Sequence, residues 1–238
     1  MIDIHSHIIP KLDDGSKEVQ ETFNMLEEAE KVGFTDVIAT SHYLLNYYET
    51  VSEELIFWTE KLQEVLNNNQ AKIKIHSGME IYITDQMREL INENKLLTLA
   101  NSRYILIELP LSTEVKYFEH IIYFLQSTGL IPIIAHPERY KYVQDNPDVV
   151  EYYIEKGCLI QSNYGSILDL YGKNARNTLK ILLKKNLVHF LGSDCHREKS
   201  VYTLIPDALK KIKKIVGKKA LYEITTTNPQ KILNNDIW

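Results

Sequence analysis

Short runs of apolar, often β-branched residues alternate along this chain with longer stretches in which apolar residues recur every three or four positions. The first pattern fits strands and the second fits amphipathic helices. Strands are predicted near 2–4, 35–40, 73–78, 103–109, 131–135, 158–162 and 188–192. Helices are predicted near 17–32, 52–67, 84–93, 115–128, 147–156, 173–185 and 202–216, with a last short turn from Asn228-Pro229. Phe23, Leu26 and Ala29 form the apolar face of the first helix, with Ser16 as its expected N-cap and Gly33 as its stop. Ser52 is expected to open the second helix in the same way.

Seven strand–helix units in alternation read as an α/β fold with a parallel sheet. An open doubly wound sheet and a closed barrel both fit that pattern. The polar residues choose between them. His5, His42, Glu80, Glu108, His136 and Asp194 each stand at or just past the C-terminal end of a different predicted strand. A closed barrel gathers those ends into one ring; an open sheet would spread them too far apart to share a centre. The expectation is one domain over residues 1–238, closed as a seven-stranded barrel.

Composition narrows the class. The chain is 44% hydrophobic and 25% charged, ordinary for a globular protein. It has no apolar stretch long enough to insert in a membrane. The start, MIDIHSHIIP, lacks the basic and long apolar segments of a signal peptide, so the expected location is cytoplasmic. A net charge of -5 argues against a general nucleic-acid binder. Two cysteines make no disulfide scaffold.

The candidate chemistry lies in His5-Ser6-His7 and Asp194-Cys195-His196, each placed directly after an apolar run. Residues two apart on a strand share a face. With His42, Glu80, Glu108, His136 and either Asp13 or Asp14 they form a set of nine candidate metal ligands. Imidazole with carboxylate suits Zn, Mn, Fe or Ni. Nine ligands exceed one ion, so two or three ions are expected, with Glu80 as a bridge. Neighbouring ions can clamp the attacking and leaving oxygens of an in-line displacement, which favours hydrolysis of a phosphate ester ahead of an amide. Arg139, in His136-Pro137-Glu138-Arg139-Tyr140, suits bidentate binding of a phosphate. Arg197 and Lys199 are further candidates for that pocket, whereas His76, His120 and His189 read as packed or exposed side chains. A cysteine-based phosphatase needs an arginine six positions after its cysteine. Tyr164 and Val201 stand at those positions after Cys158 and Cys195, so that chemistry does not fit.

The ordered set His5-x-His7, Asp13-Asp14-Gly15, Thr40-Ser41-His42, Gly78-x-Glu80, Ile107-Glu108, His136-Pro137-Glu138-Arg139 and Ser193-Asp194-x-His196 resembles the polymerase-and-histidinol-phosphatase (PHP) superfamily. MIDIHSHI, the segment Asn101-Ser102-Arg103-Tyr104 and HPERY resemble in particular its bacterial tyrosine-protein phosphatase branch, the CpsB/YwqE type of capsule and exopolysaccharide loci. The resemblance runs from Met1 to about Pro229. It implies a distorted (β/α)7 TIM-like barrel with three divalent metal ions, usually Mn, sometimes Fe, Zn or Ni. By position, His5, His7, Glu80 and Asp194 would hold one ion, Glu80, Glu108 and His136 a second, and Asp14, His42 and His196 the third. Asp13 remains an alternative to Asp14, and Arg139 matches the branch's phosphate-binding arginine.

The implied substrate is phosphotyrosine in protein, with the Tyr-rich C-terminal tail of a bacterial tyrosine kinase as partner. Other PHP phosphoesterase activity, on histidinol phosphate or a nucleotide, and a non-catalytic phosphoprotein-binding regulator are the rival readings. Relatives carry a second arginine several residues beyond the final histidine. Here that stretch reads Glu198-Lys199-Ser200-Val201, which leaves Arg197 or Lys199 as substitutes, or no second clamp. The aromatic loop after His42 raises the expectation that Tyr43, Tyr47 or Tyr48 packs against the substrate ring.

Overall fold

The computed structural model describes residues 1–238. Its strands are β1 (Ile2–Ser6), β2 (Asp36–Leu44), β3 (Tyr48–Glu49), β4 (Lys74–Tyr82), β5 (Tyr104–Glu108), β6 (Ile131–Ala135), β7 (Leu159–Asn163) and β8 (Phe190–Gly192). All but β3 run parallel, in the order β1-β2-β4-β5-β6-β7-β8. The short β3 folds back antiparallel on the end of β2, an element the sequence pattern does not predict. The ends of the sheet meet where Ser6 bridges Cys195 and where Asp194 N donates to His5 O at 2.8 Å. The result is a nearly closed barrel of seven parallel strands, the closure expected from the polar residues at the strand ends.

Strand alternation explains why the barrel is apolar at one end and polar at the other. Ile2, Ile4, Ile38, Tyr104, Leu106, Ile133, Leu159 and Phe190 belong to one buried cluster, closed below by Leu99 and Ile232. Their outward neighbours Val37, Ile105, Ile134, Ile160 and Leu191 belong to the larger cluster packed under the helices. Continuing the inward face by steps of two leads from Ile38 to His42, from Leu106 to Glu108 and from Leu159 to Asn163. Space inside is tight: a Cβ on Gly78 would lie 2.9 Å from Ile38 Cγ2. β1 slips register against β2 between Asp3 and Ser6, a bulge that re-aims the histidines beyond it.

The helices fall close to their predicted places, including Val19–Lys31, Ser52–Asn68, Gly172–Lys184 and Val201–Tyr222, the last interrupted at Gly217. Gly33 does end the first, with φ of 99°. The expected caps are corrected. The first helix begins after Glu18, and Ser16 Oγ donates to Glu18 O at 3.0 Å instead of capping. Ser52 is the first helical residue, and its hydroxyl donates to Lys95 O at 2.7 Å. A local turn carbonyl claims the Ser16 hydroxyl and a distant backbone carbonyl claims that of Ser52, where residue type alone assigns a cap. His42 and Glu80 also lie within longer strands than predicted, because β2 runs to Leu44 and β4 to Tyr82.

His189 precedes β8 at the apolar end, where its Nδ1 accepts a hydrogen bond from Ile160 N at 3.0 Å. Burial pushes its pKa down from 6.5 to about 4. As pH falls through that window the unfolded chain takes up a proton that the folded chain refuses. Stability should therefore decline by up to about 3 kcal/mol. In urea melts at pH 7 and pH 4.5, His189→Asn should lose less stability between the two than the wild type. Equal losses would remove the assignment.

Candidate metal centre

All nine sequence-predicted ligands converge at the C-terminal end of the barrel. His5 Nε2 and His7 Nε2 are 3.1 Å apart. Each lies near Glu80 Oε2, at 3.2 and 3.4 Å, and near Asp194 Oδ1, at 3.5 and 3.4 Å. His136 Nε2 lies 2.8 Å from Glu80 Oε1 and 3.9 Å from Glu108 Oε1. On the other flank, Asp14 Oδ1 is 3.6 Å from His42 Nε2 and 3.4 Å from His196 Nε2. Grouping by proximity gives overlapping sets such as His7, Asp14, His42 and His196, or His42, Glu80 and Glu108. His136 and Asp194, each just past a strand, adopt left-handed backbone with φ of 32° and 53°. Such conformations in non-glycine residues gather at functional sites.

The residues fit divalent ions. Glu80 Oε2 and His136 Nδ1 are buried and make no hydrogen bond. Glu80 Oε2 instead sits among imidazole nitrogens of His42, His5 and His7 at 3.0 to 3.4 Å. Three histidines are fixed with Nε2 turned inward. His7 Nδ1 donates to Asp13 Oδ2 at 2.8 Å, His5 Nδ1 to Gln161 Oε1 at 2.9 Å and His196 Nδ1 to Asp194 O at 2.9 Å. This is how outer partners prepare imidazoles for a metal.

The site's electrostatics point the same way. Burial pulls His5 down, but Glu80 and Asp194 outweigh it and hold the ring at about 9. Burial and the charge of Glu80 push Glu108 up to about 8, while burial and Arg139 push His136 down to about 4. The ring thus shares protons that an entering cation would displace.

Several partners were not legible in the sequence. Asp13 accepts from His7, from His42 N at 2.9 Å and from Gly15 N at 2.8 Å, so geometry separates it from Asp14. Gln161 and Asn163 occupy the one strand end for which no ligand was predicted, and Asn163 Nδ2 donates to Asp194 Oδ2 at 2.7 Å. Their inward register and polar type at a strand end were the available signal. Glu138, fully buried, accepts from Asn163 N at 2.8 Å and Ser166 Oγ at 2.7 Å. Asp3 accepts from Ser193 N at 2.9 Å and from Tyr202 OH at 2.8 Å.

Arg139 reaches the cluster, donating through Nη1 to Asp194 Oδ2 at 2.7 Å. Arg197 turns instead to the backbone, with Nη1 donating to Gly15 O and to His196 O. Lys199 is exposed and paired with Glu198. Tyr48 stacks on His42 with ring centroids 5.9 Å apart, and Tyr47 is 81% exposed beside it. Tyr43 is corrected: β2 alternation sends it into the core opposite His42, away from the site. His76 pairs with Asp36, His120 is exposed and His189 binds Ile160, so none joins the cluster. Cys158 and Cys195 are buried, and burial raises both thiols to about 12.

A closed parallel barrel with a ring of imidazoles and carboxylates at its C-terminal mouth has the build of a metal-dependent hydrolase. The chain belongs to the capsular polysaccharide synthesis CpsB/CapC family, whose profile matches residues 1–234. CapC of Staphylococcus aureus is 38% identical over 94% of this chain and 86% of its own length. Tyrosine-protein phosphatase YwqE of Bacillus subtilis is 32% identical over 99% of this chain and 92% of its own length. A chain from the crystal structures of YwqE and of CpsB from Streptococcus pneumoniae, described as metal-dependent tyrosine phosphatases, superimposes with a TM-score of 0.93. It is 32% identical and covers 100% of this chain and 96% of that one.

Proposed function

We propose that this chain is a metal-dependent phosphatase that removes phosphate from phosphotyrosine in protein. The observation that carries the reading is Arg139, a guanidinium held by Asp194 at the edge of a nine-ligand ring, in a chain whose relatives are named for this activity. In this reading His5, His7, Glu80 and Asp194 hold one ion, Glu80, Glu108 and His136 a second, and Asp14, His42 and His196 a third. Divalent ions, Mn in this reading with Fe, Zn or Ni as alternatives, would when bound acidify a water and neutralise phosphoryl charge. The protein's own groups orient that chemistry. Asp13 and Gln161 fix the tautomers of His7 and His5, and Arg139 binds non-bridging oxygens. Residues 1–238 act as one catalytic unit in the cytoplasm. The partner is the Tyr-rich tail of a bacterial tyrosine kinase controlling capsular or exopolysaccharide synthesis. No helix is long and apolar enough to cross a membrane.

A panel of phosphotyrosyl peptide, phosphoseryl peptide and histidinol phosphate, with Mn²⁺ and with chelator, tests the reading. Phosphotyrosyl peptide should be preferred and chelation should end turnover; preference for histidinol phosphate would overturn it. Tyr48→Ala and Tyr47→Ala should each raise KM for the phosphotyrosyl peptide about fivefold, the scale of one aromatic contact. An unchanged kcat/KM in both variants would remove the aromatic loop from substrate binding.

A further inference from the structure

Arg139 is not paired with Arg197, which donates to the backbone of Gly15 and His196. Its hold on a phosphoryl group then depends on how firmly one guanidinium is fixed. Two groups fix it. Its Nη1 donates to Asp194 Oδ2 at 2.7 Å, and its guanidinium carbon lies 4.5 Å from the centroid of the Tyr171 ring. The Tyr171 hydroxyl donates to the same Asp194 oxygen at 3.3 Å. Carboxylate, guanidinium and phenol form one closed set of contacts.

The loop carrying Tyr171 is itself built to hold the ring in place. A Cβ on Gly165 would lie 2.8 Å from Leu170 Cδ1 and 3.2 Å from Tyr171 Cε2, so the ring packs beside bare glycine backbone. Leu170 N donates to Gly165 O at 3.2 Å, and Gly172 N donates to Asp169 O at 3.0 Å. Gly172 has φ of 87°, a left-handed conformation that suits glycine. Ser166 Oγ donates to Glu138 Oε1 at 2.7 Å, which ties this loop to the turn that bears Arg139. The two loops are joined twice, once through Glu138 and once through the stacked arginine.

We propose that Tyr171 is a positioning residue for phosphate binding: its ring holds the Arg139 guanidinium flat against Asp194 in a fixed orientation. The inference rests on reading Arg139 as the phosphate-binding arginine. An arginine stem has several rotatable bonds, and a planar cation favours the face of an aromatic ring. With the ring in place the guanidinium meets the phosphoryl oxygens without reordering. Tyr171 acts through the arginine, so its aromatic face matters more than its hydroxyl.

The test measures binding of inorganic phosphate to Mn²⁺-loaded protein by calorimetry, beside KM and kcat on a phosphotyrosyl peptide. Tyr171→Leu should weaken phosphate binding and raise KM by about tenfold, within the range of a partly desolvated cation–π contact. Its kcat should change less and its metal content not at all. Tyr171→Phe should stay within about twofold of wild type. In an Arg139→Ala background, Tyr171→Leu should cost nothing further. Wild-type phosphate affinity in Tyr171→Leu would overturn the proposal. So would an equal loss in Tyr171→Phe, or a full additional loss without Arg139. Should Tyr171→Leu not fold, Tyr171→Met and Gly165→Ala make the same comparison, and unaltered phosphate affinity in both overturns it. Tyr171-dependent phosphate binding in a protein that hydrolyses no phosphotyrosyl peptide would support this inference while removing the phosphatase reading.

Discussion

Glu80→Gln is expected to lower turnover of a phosphotyrosyl peptide on the order of a thousandfold or more. That exceeds the ten- to hundredfold loss typical of a residue one layer out from a metal. Glu80 is buried at the centre of the ring, with Oε1 2.8 Å from His136 and Oε2 within reach of His42, His5 and His7. No other carboxylate touches as many of the ligands. An amide keeps the shape but loses the charge, and its N–H groups would face imidazole nitrogens that need an acceptor or a cation. The variant should also bind fewer ions per chain, measured by elemental analysis, while circular dichroism stays that of the wild type. Wild-type metal content together with wild-type turnover would remove Glu80 from the centre.

Arg139→Ala should reduce turnover more than tenfold, on the order of a hundredfold if it stabilises developing charge as one anion-hole donor does. Its metal content should match the wild type, because Arg139 touches Asp194 Oδ2 while the histidines approach Oδ1. The two substitutions are thus distinguishable: Glu80→Gln loses ions, Arg139→Ala keeps them. Arg139→Lys should recover little, since a single ammonium cannot reproduce a planar fork. Near-wild-type turnover in Arg139→Ala would end its assigned role.

Much of this was readable from the residues alone, for a definite reason. A β-strand has a period of two, so the inward residue at a strand end is fixed once the strand is placed. That rule located His5, His7, His42, Glu80 and Glu108, and it argued for closure before any coordinate. Where strand length was misjudged, errors followed. Ending β2 at residue 40 left Tyr43 free to join the site, whereas the strand continues to Leu44 and buries it. Beyond the polar type of Gln161 and Asn163 at an inward strand end, the outer partners were hard to read for another reason. Gln161, Asn163, Glu138 and Tyr171 have no characteristic spacing, and each contact joins segments separated by tens to hundreds of positions. Asp13 and Asp14 differ only in which way adjacent side chains point, which no residue type records.

The barrel closes at a seam between its first and last strands, and the candidate ligands straddle it. Ser193 N meets Asp3 Oδ1 across 190 positions of chain, and Asp194 joins His5 and His7 there. Bringing such distant segments together costs loop entropy that grows only slowly with length, so one good set of long-range contacts can hold it. The order of assembly follows. During synthesis His5 and His7 emerge well before Asp194, so they have no carboxylate from across the seam until the intervening strands have been made. An incomplete chain cannot finish the ion pocket, so activity becomes a report that every intervening strand is in place.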